Sequence, residues 1–383
     1  MSDAPERKTI LLVDDAPANI QVANSILKDT YKVRIATNGE KALELARTKP
    51  LPDLVLLDIE MPGMDGYEVC TRLKADRETR DIPVIFLTGK TEAEDETHGF
   101  SVGAVDYVHK PFSPAVVLAR VQTHLALRGA REQLADQLLA IRKELELART
   151  IQMSILPREV PKVDGLDIAV RYIPMTSVAG DFYDFIPVDA KRFGALVADV
   201  SGHGVPAALV ASMLKIALGA QAPHAADPAK VLTGLNAALC GKFDTHFVTA
   251  AYLWVDMEAG TVDYAGAGHP PLLFGGGRGT RTVQKNGLFL GMFPQAKYAA
   301  VRELLGPGER ILAYTDGIPE AKNPAAEEFG SGRLLELLGA LPAAPADAFA
   351  DRVLADVTGW AGRPEAEGHD DDITLLVIRR NDG

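Results

Sequence analysis

The sequence predicts two unlike folds in series. A doubly wound α/β parallel sheet is expected over residues 1–124 and an α+β β-sandwich over residues 157–383, joined by a helical segment at 125–156. Three observations lead there. In the first third, short and solidly apolar runs alternate with amphipathic stretches, the pattern of parallel strands covered by helices on both faces. Apolar positions then recur at heptad spacing in a stretch nearly free of glycine. Beyond it, β-type runs follow one another while the helices are grouped apart. A chain of 383 residues has length for about two or three domains, each able to bury a core.

Composition narrows the function classes. Charged residues make up 24% and hydrophobic residues 47% of the chain, as in ordinary globular proteins. The net charge of −12 opposes nucleic-acid binding, which calls for a basic face. Cys70 and Cys240 stand far apart without a zinc-type spacing, which suits a reducing cytoplasm. No signal-peptide pattern opens the sequence, and Lys215 interrupts the most apolar helical stretch, 207–222, so no membrane span is expected.

In the first domain the strands are expected at 9–13, 33–36, 54–58, 84–88 and 106–108, with amphipathic stretches such as 39–49 and 92–102 between them. Doubly wound sheets bind ligands beyond the carboxyl ends of their strands, and Asp14, Asp15, Asp58 and Thr88 all fall there. Three gathered carboxylates repel one another by roughly 4 kcal/mol per pair at an effective dielectric near 20. A hard divalent cation such as Mg²⁺ removes that penalty. The ion and Lys110 would then balance a phosphoryl group attached to Asp58. Thr88 is placed to donate its hydroxyl to that group, Gly89 leaves room for it, and Tyr107 can change rotamer when Thr88 is drawn inward. A cis Lys110-Pro111 bond is expected to aim the lysine. The run Gly99-Phe100-Ser101-Val102-Gly103 fits a hydrolase nucleophile elbow, but that motif needs a strand before it and a helix after it. Polar, helical residues precede Ser101, so a serine hydrolase is rejected.

VDDAPAN, LLDIEMPGMDGYE, FLTG and GAVDYVHKPF resemble the receiver domain of two-component response regulators over about residues 8–127. The resemblance implies that Asp58 is the phosphoacceptor. It further implies that Asp14, Asp15 and Asp58 hold Mg²⁺ with the carbonyl of Glu60, that Thr88, Lys110 and Tyr107 sense the phosphate, and that a sensor histidine kinase acts upstream.

From residue 114 to 156, Gly129 is the one glycine, and the stretch reads as one long helix or two nearly continuous ones. Leu127, Leu134, Leu138, Ile141, Leu145 and Ala148 fall at heptad spacing, flanked by Glu132, Lys143, Glu144 and Glu146. Such a helix packs on its own domain or pairs with a second chain as a short parallel coiled coil; the seam favours the coiled coil and hence a homodimer.

In the second domain, strands are expected at 166–172, 193–200, 247–255, 262–265, 310–314 and 374–378, and helices at 206–219 and 228–239. Four acidic motifs sit at strand ends: Asp181 after Ala179-Gly180, Asp199 before Ser201-Gly202-His203-Gly204, Asp316 before Gly317, and the run Asp370-Asp371-Asp372. Carboxylates converging from separate segments cannot share a dry pocket without metal. An oxygen-only set points to Mg²⁺ or Mn²⁺ rather than zinc. A pair of such ions suits hydrolysis of a phosphomonoester.

GDFYDF, DVSGHGVPAAL, AGAGHPPLL, YTDGIPEA and DDDITLLV resemble the bacterial branch of the PPM (PP2C-like) serine/threonine phosphatases that includes the stage II sporulation E and sigma-B-regulating enzymes, over about residues 149–380. The resemblance implies two Mn²⁺ or Mg²⁺ ions. Asp199 would bridge them, Asp181 and the Val200 carbonyl would complete one, and Asp316 and Asp371 the other, with Asp370 and Asp372 as neighbouring candidates for that last place. Ala179 and Gly266 stand where this branch often carries Gly and Asn, changes that remove no ligand. His203 and His269 are read as braces of tight turns rather than general acids. The implied substrate is a phosphorylated, STAS-type anti-sigma-factor antagonist, with the helices at 148–156 and 206–219 forming a regulatory switch. With the sequence ending just past its last strand, no fused anti-sigma kinase is expected. An adapter that grips a phosphoprotein without hydrolysing it is the rival reading, opposed by the intact carboxylate set. A DNA-binding output is opposed by the acidic balance and the lack of a helix-turn-helix pattern.

Overall fold

The computed structural model describes residues 7–89, 99–243, 245–341, 343–362 and 370–382. The chain divides into two compact units, Met1–Ala140 and Ile141–Gly383.

The first unit is built on five parallel strands, β1 (Thr9–Val13), β2 (Lys32–Ala36), β3 (Leu54–Asp58), β4 (Val84–Thr88) and β5 (Asp106–His109), in the order β2-β1-β3-β4-β5. Helices α1 (Pro17–Leu27), α2 (Gly39–Arg47) and α3 (Gly66–Ala75) connect them. Strand residues alternate between two cores, because successive side chains leave opposite faces. Leu11, Val13, Val55, Leu57 and Phe86 pack with Ala42, Leu43, Val69 and Leu73 of α2 and α3. Ile10, Leu12, Leu54, Leu56 and Ile85 face the other way, towards Leu27, Val117 and Val121. Both faces are covered, which is why β1, β3 and β4 read as unbroken apolar runs. Asn38 and Asp65 start α2 and α3 by accepting the amides of Lys41 and Glu68. The helix expected at 92–102 falls largely outside the described residues; 99–101 are helical and run into a turn, not a nucleophile elbow.

One helix, α4 (Pro114–Ile155), follows. Its first turns bury Val117 and Val121 on the parallel sheet, and near its end Gln152 is buried within the second unit.

The second unit is a sandwich of two mixed or antiparallel sheets. One contains β7 (Phe182–Pro187), β8 (Arg192–Val200), β9 (Val248–Asp256), β10 (Thr261–Ala267), β13 (Asn286–Gly287) and β14 (Val301–Leu304). The other orders β12 (Arg281–Val283), β11 (Leu272–Gly275), β15 (Arg310–Tyr314), β16 (Ile373–Arg380) and β6 (Leu166–Ile173). Phe193, Ala195 and Val197 of β8 meet Ile311 and Ala313 of β15 and Leu376 and Ile378 of β16 between the sheets. The alternate residues Leu196, Ala198 and Val200 face α5 (Val205–Ala220) and α6 (Pro228–Leu239). Leu312, Tyr314, Leu375 and Val377 face α7 (Gly330–Ala340) and α8 (Ala346–Ala361). The four layers explain how antiparallel strands came to look as apolar as parallel ones.

Beyond the two expected helices, α7 and α8 form, and so do β7, β11, β12, β13 and β14. The alanine- and glycine-rich composition of 330–361 masks an amphipathic spacing: Leu334 and Leu338 of α7, and Ala346, Phe349, Ala350, Val353 and Val357 of α8, are the buried positions. Among the described residues no helix is long and apolar enough to cross a membrane.

Candidate functional site

At the carboxyl end of the first unit's sheet, ligand atoms of Asp14, Asp15 and Asp58 lie within 4.8 Å of one another. Lys110 Nζ stands 2.8 Å from both Asp14 Oδ2 and Asp58 Oδ2. Asp14 Oδ1 accepts the Ala16 amide at 2.9 Å and the Asn19 side chain at 3.1 Å, which orients its other oxygen. Burial pushes the Asp58 carboxyl upward and the Asp14 charge adds to that, with Lys110 opposing. Burial would lower Lys110, but its hydrogen bonds to Asp14 and Asp58 carry it upward. Three carboxylates against one ammonium leave two negative charges, the charge of one divalent cation.

The other expected residues are close by. Thr88 is buried at the end of β4, and its carbonyl accepts the Lys110 amide at 2.7 Å. The Lys110-Pro111 bond is cis, as expected. Tyr107 lies inward, its ring 5.7 Å from Phe86 and edge-on to Phe100 at 5.1 Å. Glu60 is exposed just past β3.

In the second unit, Asp181 immediately precedes β7, Asp199 sits near the end of β8, and Asp316 and Asp371 flank the adjoining ends of β15 and β16. Their mutual influence is plain in their acidity. Asp199 is pushed up to about 7 by burial and by the charges of Asp316, Asp371 and Asp372. Asp316 is pushed up to about 6 by burial, then by Asp371 and Glu320. Asp181, buried beside Asp199, is also raised. These carboxylates are spread more widely than the trio of the first unit, the only described set with three acidic ligand atoms within 4.8 Å.

Close backbone approaches bring the segments together. A Cβ at Gly180 would lie 2.7 Å from the Val200 carbonyl, and one at Gly317 would lie 2.0 Å from the Asp372 carbonyl. The run of three aspartates divides by geometry. Asp372 is buried, and its oxygens accept the Met175 amide at 2.7 Å and the Gly180 amide at 2.6 Å. Asp371 is exposed, and its charge acts on Asp199 and Asp316.

His269 is buried beside Thr249, with Nδ1 2.8 Å from the Thr249 hydroxyl, and burial pushes it down to about 3. It is neutral near pH 7 and has no readily released proton to give, which speaks against a general acid. Sequence reasoning passed over Gln152, Thr315, Glu320 and Thr374. Glu320 lies one turn beyond Asp316, its amide donating to the Asp316 carbonyl at 2.9 Å, a spacing legible in YTDGIPEA. Gln152 reads as one more polar residue on a long helix until its partners are known.

Residues 189–381, just over half of the chain, match the family of stage II sporulation protein E, and residues 10–122 match the response regulator receiver domain. The chain belongs to the SpoIIE family. Its SpoIIE-type domain is of the PPM serine/threonine phosphatase class and follows a receiver domain. Phosphoserine phosphatase RsbU of Bacillus subtilis is 30% identical over 204 residues, 52% of this chain and 58% of RsbU. A probable cyclic di-GMP phosphodiesterase of Vibrio cholerae is 49% identical over 129 residues, 34% of this chain and 29% of that protein. The solved SiaA PP2C domain of Pseudomonas aeruginosa is 25% identical with a TM-score of 0.57, covering 64% of this chain and 99% of that domain. The chain thus spans less than two thirds of either curated relative.

Proposed function

We propose that this protein is a response regulator in which phosphorylation of Asp58 by a sensor histidine kinase controls a metal-dependent phosphoserine/phosphothreonine phosphatase. The observation that carries the reading is the convergence of Asp181, Asp199, Asp316 and Asp371 from four segments: burial and the charge of Asp199 raise Asp181, burial and the charges of Asp316 and Asp371 raise Asp199, and burial and the charge of Asp371 raise Asp316. Carboxylates so placed are stable as anions when divalent cations share them. The donors of this set are carboxylate and carbonyl oxygens, so it fits two Mn²⁺ or Mg²⁺ ions rather than zinc. In this reading Asp199 would serve both ions, Asp181 and the Val200 carbonyl would serve one, and Asp316 and Asp371 the other. Asp372, with both oxygens on backbone amides, holds the Asp181 loop instead. Bound there, the ions supply a water-derived nucleophile and offset the charge of the phosphate. The receiver trio and the Glu60 carbonyl fit one Mg²⁺.

The substrate we infer is a phosphoserine protein, supported by the similarity to phosphoserine phosphatase RsbU, and specifically the phosphorylated, STAS-type anti-sigma-factor antagonist of a cytoplasmic partner-switching pathway that the resemblance to the sigma-B-regulating enzymes implies. The chain pairs as a homodimer through α4 in this reading, supported by heptad side chains left about half exposed: Leu134 at 56%, Leu138 at 49% and Ile141 at 52%. A physical route for control lies at the end of α4. Gln152 donates to the Ala179 carbonyl at 2.7 Å and accepts the Ala179 amide at 3.0 Å. Rotation or sliding of α4 would thereby pull on the backbone two residues before Asp181.

The test is phosphate release from a phosphoserine antagonist with Mn²⁺, with and without beryllofluoride to mimic phospho-Asp58. Release that needs Mn²⁺ and changes with beryllofluoride is expected. No release in either state, despite bound metal and bound antagonist, would leave a phosphoprotein-binding adapter.

A further inference from the structure

The described residues include a buried hydroxyl pair around Asp181 that the phosphatase reading does not use. Thr315 lies just past β15 and Thr374 is the second residue of β16, and both are fully buried. Their hydroxyls, Thr315 Oγ1 and Thr374 Oγ1, each stand 2.7 Å from the same oxygen, Asp181 Oδ2. The two threonines are also locked to each other. The Thr315 amide donates to the Thr374 carbonyl at 3.0 Å, and the Thr374 amide donates to Thr315 Oγ1 at 2.9 Å. Since Thr315 Oγ1 already accepts that amide, its own proton goes to the carboxylate at 2.7 Å rather than to the Thr374 carbonyl at 3.5 Å. The Tyr172 hydroxyl holds the Asp181 carbonyl at 3.1 Å, which fixes the backbone as well.

We infer that Thr315 and Thr374 are positioning residues that clamp Oδ2 of Asp181 and so reserve Oδ1 for a divalent cation; the inference rests on the metal-dependent phosphatase reading. The physical reason is geometric. A carboxylate rotates about its Cβ–Cγ bond, and two donors on one oxygen stop that rotation. The donors come from strands paired in register, Tyr314 opposite Leu375, so the ladder that joins β15 to β16 also sets the spacing of the hydroxyls. The same strand ends carry Asp316 and Asp371, and the clamp therefore ties the first carboxylate to the segment that bears the others. Hydrogen-bonding partners of metal ligands govern affinity by about 10–100-fold.

The experiment titrates Mn²⁺ calorimetrically into the full chain and its Thr315→Val, Thr374→Val, Thr315→Ser and Thr374→Ser variants. Asp199→Asn identifies, by their loss, the ions bound in the second unit rather than in the receiver. Circular dichroism and thermal unfolding without metal report the fold. Each valine variant is expected to stay folded, to bind Mn²⁺ in the second unit about tenfold more weakly, and to recover native affinity as serine. Valine variants that bind like the native protein overturn the clamp while leaving the phosphatase reading intact. Serine variants as weak as the valine ones overturn it too, because the hydroxyl would not be the active element. So would unfolding of both valine variants, which would assign the hydroxyls to the fold. A native chain that binds no Mn²⁺ in its second unit would bring down the metal reading and the clamp together.

Discussion

Replacing Gly317 by alanine is the sharpest probe of how the acidic strand ends are assembled. A Cβ at that position would stand 2.0 Å from the Asp372 carbonyl oxygen, where real Cβ contacts do not fall below 3.0 Å. The obstacle is backbone, immediately before β16, so it cannot swing aside as a side chain would. The two segments must therefore part by about 1 Å, and that motion separates Asp316 from Asp371 and strains the Asp372 tie to Gly180. Displacements of this size cost on the order of a hundredfold in rate when they disturb a reacting geometry. The overpacking itself costs about 1–3 kcal/mol. Steady-state phosphate release with Mn²⁺, a Mn²⁺ titration and a thermal melt measure the three consequences: about a hundredfold slower turnover, weaker metal binding and a lower Tm. Gly359→Ala is the control. Nothing lies within 4 Å of its Cβ position in α8, and helix propensity predicts about 0.5–1 kcal/mol of added stability there. A Gly317→Ala protein with native turnover and native Mn²⁺ affinity would refute the argument that this approach builds the site.

Asp58→Asn is expected to abolish the change in phosphate release caused by beryllofluoride, because the acceptor carboxylate is gone; a surviving change would place the control elsewhere. Substituting Leu138 and Leu145 by Asp puts charge at one exposed and one half-buried position of the apolar seam of α4, so the double variant is expected to be monomeric by light scattering and deaf to beryllofluoride. Retained dimer and retained response would exclude the seam from both roles. Glu309 offers a pH test away from the metal ligands. Burial alone would raise its carboxyl, but hydrogen bonds from Arg278, Gly306 and Arg281 hold it below the ordinary 4.5. A carboxyl depressed in the folded state contributes stability above its unfolded value, and that contribution is lost as pH falls through the lower folded value. Thermal melts over the acid range should show the native protein losing Tm more steeply below about pH 4.5 than Glu309→Gln does; parallel curves would remove Glu309 from the acid response.

The parallel sheet was readable because its chemistry and its packing use different signals. Strands covered on both faces must be apolar throughout, as Thr9–Val13 and Leu54–Asp58 are, so the carboxylates that follow them stand out. Asp14, Asp58, Thr88 and Lys110 could be placed together from topology alone, since each ends a strand of one sheet or follows one directly. The helical connector was legible from its heptads and its single glycine, while the structure decided that it is one helix rather than two. The helices α7 and α8 were not, because alanine and glycine carry little periodic contrast and their buried faces are narrow.

What the sequence by itself determined, then, is the order of the two domains, the helix between them and the identities of the acidic residues, since each is written in local pattern: runs of one face, heptad spacing, carboxylates beside glycine. What only the tertiary structure decided is the division of labour among neighbours. Asp371 and Asp372 are adjacent and chemically identical, yet Asp372 turns inward to two amides while Asp371 stays exposed. Thr315, Thr374 and Gln152 look like ordinary strand and helix residues until partners more than 25 positions away are brought to them. A hydrogen bond between distant segments leaves no trace in local periodicity, because its geometry exists only once the two sheets have packed.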